Sequence, residues 1–302
     1  MKHKPLRPPR LEPGDTIGIV APASPFDTDL FDRGIQTLES MGYQVRVPDD
    51  LFERSGYLAG TDEHRADLIH RSFSDQSLKA LVCARGGYGS MRLLPLLDFS
   101  LIQNNPKIFI GLSDITAALS AIYSNTGLVM FHGPTVTTLS SASPKTRKAL
   151  QAAISPEQPY ELEMENGITI RPGSASGRVC GGNLNTLNHL LGTPFAPEFK
   201  DHILFLEDRG EKPYRIDRML AQMKQAGCFE HLSGLILGDF IDCGSQQEIT
   251  QIFTEAFTNA SFPIVAGCEA GHGEQNLTIP VGLEATLDAD QYTLSFHLPA
   301  TR

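Results

Sequence analysis

A serine stands where a predicted strand passes directly into a predicted helix. The apolar run 107–111 predicts a buried strand, Ser113 and Asp114 follow, and residues 115–123 predict a helix. Such a turn lifts the serine hydroxyl above the end of the sheet and places the next backbone N–H at a helix N-terminus, where an anion is stabilised. This indicates a nucleophile, although Ile115 replaces the second glycine of GxSxG. Taken alone, a helix cap is the simpler explanation, and Asp114 can cap while Ser113 reacts.

A glycine-rich segment, Ala84–Gly89, follows the predicted strand 78–83. The carboxyl ends of parallel strands lie at one edge of a sheet, so this segment is expected beside Ser113. Its glycines allow a sharp turn and a close approach to a ligand. One interpretation is an oxyanion hole made by the backbone N–H groups of Gly87 and Asp114. A phosphate-binding loop or a purely structural turn remain alternatives, but neither GxxxxGK[ST] nor GxGxxG is present.

Two histidines could serve as the base. His272 lies in the polar, glycine-rich segment 271–276, where a histidine is more often exposed and functional than on an apolar face. It is not part of HExxH and has no second histidine at metal-ligand spacing, so zinc is disfavoured. His132 follows the apolar run 128–131 and is the competing base, although a structural or pocket-lining role is more typical of such a position.

Glu207 ends the apolar run 203–206. A carboxylate at the end of a buried strand needs a partner, so it could orient a catalytic histidine. Asp208 and Glu211 are close by. Together with the basic neighbours Arg209, Arg215 and Arg218, they could equally form a salt-bridge cluster. The sequence does not choose among these acids.

The elements that carry these residues alternate in the first half of the chain. Strands are predicted at 16–21, 43–47, 78–83 and 107–111, with helices between them, at 29–41 and 62–73 among others. Alternation of this kind predicts an α/β fold in which helices cover both faces of a parallel sheet.

The chain changes character near its middle. Prolines, serines and glycines concentrate between Ser140 and Ser176, and we place an N-terminal domain at 1–155, a linker at 156–175 and a C-terminal domain at 176–302. The second half is predicted to mix strands with an amphipathic helix at 214–225, whose apolar stripe is expected to pack into the core.

Composition narrows the function classes. Of 302 residues, 41% are hydrophobic and 20% charged, which is typical of a globular protein, and the net charge of −10 argues against a nucleic-acid partner. No apolar run reaches the roughly 18 residues of a membrane span. The basic start, Met1–Arg10, is expected to be a solvated arm and lacks the apolar stretch of a signal peptide, which favours the cytoplasm. The five cysteines form no CxxC pair, so we expect buried free thiols.

Six segments in order resemble the LD-carboxypeptidase family of serine peptidases, which includes the microcin-immunity peptidases. The matching segments are Pro13-Gly14-Asp15 with Val20–Ser24, Ala84–Gly89, Gly111–Thr116, Gly181–Leu184, Leu206-Glu207-Asp208 with Tyr214–Arg218, and Gly271-His272 with Asn276, Pro280 and Gly282. The resemblance implies a flavodoxin-like N-terminal domain, a smaller mixed-sheet C-terminal domain, a site in the cleft between them and a homodimer.

The same resemblance assigns residues and a reaction. It implies a Ser113, His272 and Glu207 triad and an oxyanion hole from Gly87 and Asp114. The usual reaction of the family removes the terminal D-alanine from a cytoplasmic murein tetrapeptide. Arg85 is our candidate for the substrate carboxylate, because its fork suits bidentate pairing, and a structural ion pair is its alternative.

Three rival functions stay open. A microcin-type immunity peptidase would act on acyl-adenylate analogues, but the compact chain favours the murein enzyme. A two-domain protein that only binds a small ligand would leave Ser113 and His272 without a role. An α/β-hydrolase esterase is disfavoured by the missing GxSxG and the early serine. Nothing in the sequence points to a metal or organic cofactor.

Overall fold

The computed structural model describes residues 4–156, 158–159 and 161–302. Its strands lie in two sheets. Their bounds are β1 (Thr16–Val20), β2 (Gln44–Arg46), β3 (Leu78–Cys83), β4 (Ile108–Gly111), β5 (Met130–His132), β6 (Glu161–Glu163), β7 (Ile168–Arg171), β8 (Ser174–Asn183), β9 (His202–Arg209), β10 (Gly234–Ile241), β11 (Ile264–Ala266), β12 (Ile279–Val281), β13 (Glu284–Asp288) and β14 (Thr293–Phe296).

Helices connect these strands and cover the sheets. They are α1 (Thr28–Ser40), α2 (Asp62–Ser74), α3 (Phe99–Asn104), α4 (Thr116–Thr126), α5 (Val136–Leu139), α6 (Pro144–Ile154), α7 (Leu184–Leu190), α8 (Pro213–Gln225) and α9 (Gln246–Ala256), with short 3₁₀ segments at Asp49–Phe52, Ser90–Leu96 and Ser113–Ile115. Side chains of Asp27, Thr61 and Ser143 cap α1, α2 and α6 by accepting a backbone N–H of the first turn. Within the described ranges, no helix is both long and apolar enough to cross a bilayer.

The first sheet has the strand order β12-β5-β4-β3-β1-β2, and every neighbouring pair is parallel except β12 with β5. The order β2-β1-β3-β4-β5 is that of flavodoxin-like sheets. This confirms the α/β class predicted from the alternation of elements. The loops that follow β1, β3 and β4 therefore meet at the carboxyl edge, as a candidate site there requires.

The second sheet is mixed and has the order β6-β14-β13-β8-β9-β10-β11-β7. Alternate residues of β9 enter different cores: Ile203 and Phe205 pack in the core shared with the first sheet, whereas Leu204 and Leu206 pack with α7, α8 and α9. The apolar stripe of α8 lies in this second core, as predicted. One face of the second sheet is thus buried against the N-terminal half, which fixes the two halves against each other.

Two predicted boundaries differ from the structure. Within the predicted linker 156–175, β6 and β7 form the two outer strands of the second sheet, while Glu157 and Tyr160 lie outside the described residues. Both strands are short and partly polar, so their apolar periodicity is weak. In addition, β12 comes from the C-terminal half and completes the edge of the first sheet.

The N-terminal segment is held against the protein. Leu6 pairs with Leu128, and the Arg7 guanidinium donates to the carbonyls of Pro299 and Thr301 at 3.2 and 3.3 Å. The prediction of a solvated arm is therefore wrong for residues 4–10, and residues 1–3 lie outside the described residues. All five cysteines are free and four of them are buried, as predicted.

Candidate active site

Ser113 occupies a strained turn at the end of β4. Its φ is 68°, in the left-handed region that side chains other than glycine rarely adopt. Among the described residues, no side-chain hydrogen bond caps the 3₁₀ segment at 113–115 or helix α4. The cap interpretation of Ser113 and Asp114 is therefore wrong. Strain of this kind is typical of a serine presented at a strand-to-helix turn.

Asp114 connects this turn to the glycine-rich segment. Its carboxylate accepts the backbone N–H of Ser90 at 2.7 Å, and its carbonyl accepts the Ser90 hydroxyl. The contact anchors the turn after β4 to the end of the loop after β3.

The glycine-rich segment lies directly against the serine. A Cβ on Gly86 would stand 2.8 Å from the Ser113 Cβ, so no larger residue fits there. Ser24, from the loop after β1, fixes the turn: its N–H donates to the Gly86 carbonyl at 3.4 Å and its hydroxyl accepts the Tyr88 N–H at 3.1 Å. Within the described chain, the N–H groups of Gly87 and Asp114 donate to no protein acceptor. Both are thus free to bind an oxyanion.

A cavity of about 470 Å³ brings the two halves of the chain together. Ser113, Gly87 and Arg85 line it from the N-terminal half, and His272 and Arg209 line it from the C-terminal half. No hydrogen bond joins Ser113 to His272 among the described residues. Hydrogen bonds between a nucleophile and its base are often long in unliganded proteins and shorten when substrate binds.

Glu207 holds the ring of His272 from behind. His272 Nδ1 lies 2.6 Å from Glu207 Oε2, so Nε2 is the nitrogen left to face the cavity. Glu207 is fully buried, and its other oxygen accepts the Asn183 amide at 3.3 Å. Gly271, on the same loop, donates its N–H to Asn276 Oδ1 at 3.2 Å, which fixes the loop. The arrangement fits a base whose tautomer is set by a carboxylate.

The electrostatics of this pair favour ions of opposite charge. Burial alone would raise the pKa of Glu207, but the two neighbouring histidines outweigh it and lower that pKa to about 2. Burial would lower the pKa of His272, but the hydrogen bond and charge of Glu207 outweigh it and raise that pKa above its ordinary 6.5. Glu207 is therefore ionised at neutral pH and stabilises a protonated His272.

The structure separates Glu207 from the other acids that the sequence could not distinguish. Asp208 binds the backbone N–H of Asn185 at 2.9 Å and the Asn183 amide at 3.0 Å, at the start of α7. Glu211 accepts the Asn185 amide at 3.1 Å and pairs with Arg215. Of these three acids, within the described part of the chain, only Glu207 forms a hydrogen bond with His272.

His132, the competing base, lies behind the triad-like group. It is fully buried, packs edge-on against Phe205 and has Nε2 3.8 Å from Glu207 Oε1. That distance is too long for a hydrogen bond but short enough for an electrostatic contact. His132 does not line the Ser113 cavity. This position is more consistent with a role in stabilising Glu207 than with a direct role in acting on a substrate.

Two residues near the cavity are not predicted from the sequence to belong to the site. Arg209 follows Glu207 by two positions in β9, and alternation along a strand places both on the same side, which is the signal that could have found it. Asp239 accepts the Gly273 N–H at 3.2 Å and so supports the loop that carries His272. Arg85 lines the cavity, and its guanidinium donates to the Pro25 carbonyl at 3.0 Å.

This arrangement has the parts of an acyl-transfer site: a serine that lines the cavity, a histidine oriented by a carboxylate, and two free N–H groups beside the serine. Among the described residues, no group of three or more His, Cys, Asp or Glu side chains is placed to hold a metal ion.

Comparisons with known proteins match both halves of the chain. Residues 17–133 match the model of the LD-carboxypeptidase N-terminal domain, and residues 176–287 match that of the LD-carboxypeptidase C-terminal domain. The chain is 38% identical to a probable murein peptide carboxypeptidase of Bacillus subtilis, over 95% of this chain and 93% of that protein.

Solved structures of related proteins share the fold of this chain. The microcin C7 self-immunity protein MccF in complex with aspartyl sulfamoyl adenosine superposes with a TM-score of 0.91 at 28% identity, covering 99% of this chain and 100% of that one. A muramoyltetrapeptide carboxypeptidase from Oxalobacter formigenes gives a TM-score of 0.82 at 30% identity, covering 93% and 97%. Both domain models match the chain in order, and the two-domain α/β fold is shared with these solved structures. The chain therefore belongs to the LD-carboxypeptidase family.

Proposed function

We propose that the protein is a serine carboxypeptidase in which Ser113 is the nucleophile, His272 the base and Glu207 the residue that orients the base. The observation that carries this proposal is the shared cavity: Ser113 at its strained φ faces it from one half, and His272, held by Glu207, faces it from the other.

The chemistry follows from these positions. The Ser113 oxygen attacks the scissile carbonyl while His272 Nε2 takes its proton, and the N–H groups of Gly87 and Asp114 stabilise the oxyanion. His272 then gives the proton to the leaving amine as the C–N bond breaks, which leaves an acyl-enzyme. Water, deprotonated by His272, attacks the acyl carbon, and Ser113 leaves with the returned proton.

For the substrate, we propose a cytoplasmic murein tetrapeptide cleaved at the L,D bond before its terminal D-alanine, as in peptidoglycan recycling. Support comes from relatives named as murein peptide and muramoyltetrapeptide carboxypeptidases. The likeness to MccF keeps acyl-adenylate analogues as a second candidate.

One experiment separates these candidates. Purified protein is incubated with murein tetrapeptide and, in parallel, with aspartyl sulfamoyl adenosine, and free D-alanine and free aspartate are measured by chromatography. We expect D-alanine release that disappears in the Ser113→Ala variant. Aspartate release alone would favour the immunity reaction, and binding without either product would favour a binding protein.

The pH dependence of kcat/KM should reflect the ionisation of His272. The base must be neutral to accept the serine proton, and Glu207 raises the pKa of His272 above 6.5 against the lowering effect of burial. We therefore expect kcat/KM to rise with pH, with a midpoint above 6.5. Reassay at neutral pH after each incubation controls for inactivation. A wild-type midpoint well below 6.5 would contradict this electrostatic description of the site.

Asp239 is expected to position His272 through the loop. Gly273 packs so closely on this carboxylate that a Cβ would collide with it, and their hydrogen bond fixes the loop. Loss of one such bond costs about 1 kcal/mol, so Asp239→Ala should lower kcat by about 5-fold with little change in KM. Asp239→Asn keeps an acceptor oxygen and should recover most of this loss.

The Asn variant has a second use. Burial, supported by the charge of Glu207, raises the pKa of Asp239 to about 7, so wild type contains another group that titrates near neutrality. The pH profile of kcat/KM for Asp239→Asn should therefore show the ionisation of His272 without the ionisation of Asp239. Equal kcat for the Ala and Asn variants would contradict a positioning role.

Two further expectations remain proposals. We propose that the protein acts in the cytoplasm, where murein fragments are recycled, and that it forms a homodimer, as the family resemblance implies. Light scattering on the purified protein, coupled to size-exclusion chromatography, measures the second directly.

A further inference from the structure

Two arginines line the cavity that contains Ser113, one from each half of the chain. Apart from His272, Arg85 and Arg209 are the only ionisable side chains among the described residues that line it. The chain as a whole carries a net charge of −10. The lining of this cavity contains two arginines and no carboxylate, so its charge is opposite in sign to that of the whole chain. Its charge suits an anionic part of a substrate.

The two arginines stand on different sides of the reacting atoms. Arg85 adjoins Gly86 and Gly87 and is held by the Pro25 carbonyl, which places it on the oxyanion side. Arg209 follows Glu207 on β9 and also lines the adjoining cavity of about 510 Å³, together with His272 and the loop 271–274. Its positive charge lowers the pKa of His272, although burial and the opposing effect of Glu207 are larger. Arg209 therefore lies on the histidine side.

The histidine side is where the leaving residue must be. His272 gives its proton to the leaving amine, so that amine and the residue attached to it lie beside the imidazole. In a carboxypeptidase, the leaving residue bears the free carboxylate.

Arg209 is available for such a carboxylate. Among the described residues, its one ion-pair partner is Asp242, with Nε 3.6 Å from Oδ2, and the side chains are 57% and 70% exposed. Exposed pairs of this kind contribute little, so a substrate carboxylate that can pair with both guanidinium nitrogens can displace Asp242.

We propose that Arg209, rather than Arg85, binds the terminal carboxylate of the residue released by the enzyme and so makes the site selective for a free C-terminus. This inference rests on the proposed carboxypeptidase function. It assigns to Arg209 the role that sequence reasoning gave to Arg85.

The test compares two substrates that differ only in this group: the tetrapeptide ending in D-alanine and the same peptide ending in D-alaninamide. For wild type, we expect kcat/KM to be about 10- to 100-fold higher for the acid. Arg209→Met should abolish this preference through a higher KM for the acid. Arg209→Lys should keep part of it, because it retains the charge but not the fork.

Two matched variants complete the design. Arg85→Met removes the other arginine of the cavity, and Arg10→Met removes an exposed arginine that pairs with Glu12 and lies outside the cavity lining. Both should keep the preference for the acid. The inference is overturned if Arg209→Met keeps the full preference, or if Arg85→Met abolishes it instead.

A binding measurement separates failure of this inference from failure of the proposed function. Calorimetry with Ser113→Ala measures affinity for the acid and the amide without turnover. Tighter binding of the acid that is lost in Ser113→Ala/Arg209→Met supports the role of Arg209, even if wild type hydrolyses neither peptide. Equal binding of the two peptides to Ser113→Ala overturns the role of Arg209 alone. Undetectable binding of both peptides overturns the proposed substrate class and, with it, this inference.

Discussion

Replacing Ser113 by alanine is expected to lower kcat by about 10⁴- to 10⁶-fold, because the acyl-enzyme route then has no nucleophile. The free N–H groups of Gly87 and Asp114 remain and leave only residual catalysis. Turnover of murein tetrapeptide is followed by release of D-alanine. Ser40→Ala, at an exposed position near the end of α1, is the matched control and should keep wild-type kcat. Activity within 10-fold of wild type in Ser113→Ala would refute its role as nucleophile.

A glycine at the same position tests the strain at Ser113. A residue with a Cβ at φ 68° costs about 1 kcal/mol relative to glycine, so Ser113→Gly should be inactive yet more stable than Ser113→Ala by roughly that amount. Urea unfolding of both variants measures the difference. A less stable glycine variant would show that the turn is not strained in solution.

The second large effect is expected at Glu207. Glu207→Gln keeps the shape of a fully buried side chain but removes the charge that orients and stabilises protonated His272. We expect kcat to fall by about 10³- to 10⁴-fold. The remaining activity should have a lower pH midpoint, because burial then lowers the pKa of His272 without the opposing effect of Glu207. Glu255→Gln, at an exposed position of α9, is the control.

Glu207 should also influence stability in acid. The pKa of Glu207 is about 2 in the folded protein and about 4.5 in the unfolded chain. Between pH 2 and pH 4.5, the unfolded chain therefore binds more protons at this residue than the folded protein does. The stabilisation is present above about pH 4.5 and is lost as the pH falls towards 2. The urea midpoint of wild type should therefore decrease over this range more steeply than that of Glu207→Gln. Parallel decreases would contradict the lowered pKa.

The sequence predicted those parts of the fold that have a strong apolar period. The strand Leu78–Cys83 was predicted with the bounds that it has, and α8 differs by one residue at its start. The strands β6, β7, β8, β12 and β13 are not predicted from the sequence. Three of them have only three or four residues, β12 contains a proline, and β8 is rich in glycine and serine, so each carries little apolar periodicity. Their pairing depends on partners that are distant along the chain.

For the candidate site, the sequence identified residues but not contacts. Ser113, His272 and the Gly87 loop were singled out by strand ends and glycines, and the structure places them around one cavity. The residue pattern alone does not distinguish Glu207 from Asp208. The family resemblance assigns Glu207, and the contact of Glu207 with His272 depends on the three-dimensional packing of β9 against the loop at 271–276. Arg209 illustrates the same limit. The alternation of side chains along a strand predicts that Arg209 and Glu207 lie on one side of β9, but only the fold shows that this side faces the cavity.

The edge strand β12 has a consequence for folding during synthesis. It pairs with β5 although about 150 residues separate them, so the first sheet lacks this edge until residue 281 has been made. At typical rates of chain elongation, that takes roughly 7–30 s after β5 is complete. Throughout this interval, β5 presents an unpaired edge to other nascent chains. The first sheet of the N-terminal half therefore stays incomplete until the C-terminal half has been synthesised as far as residue 281.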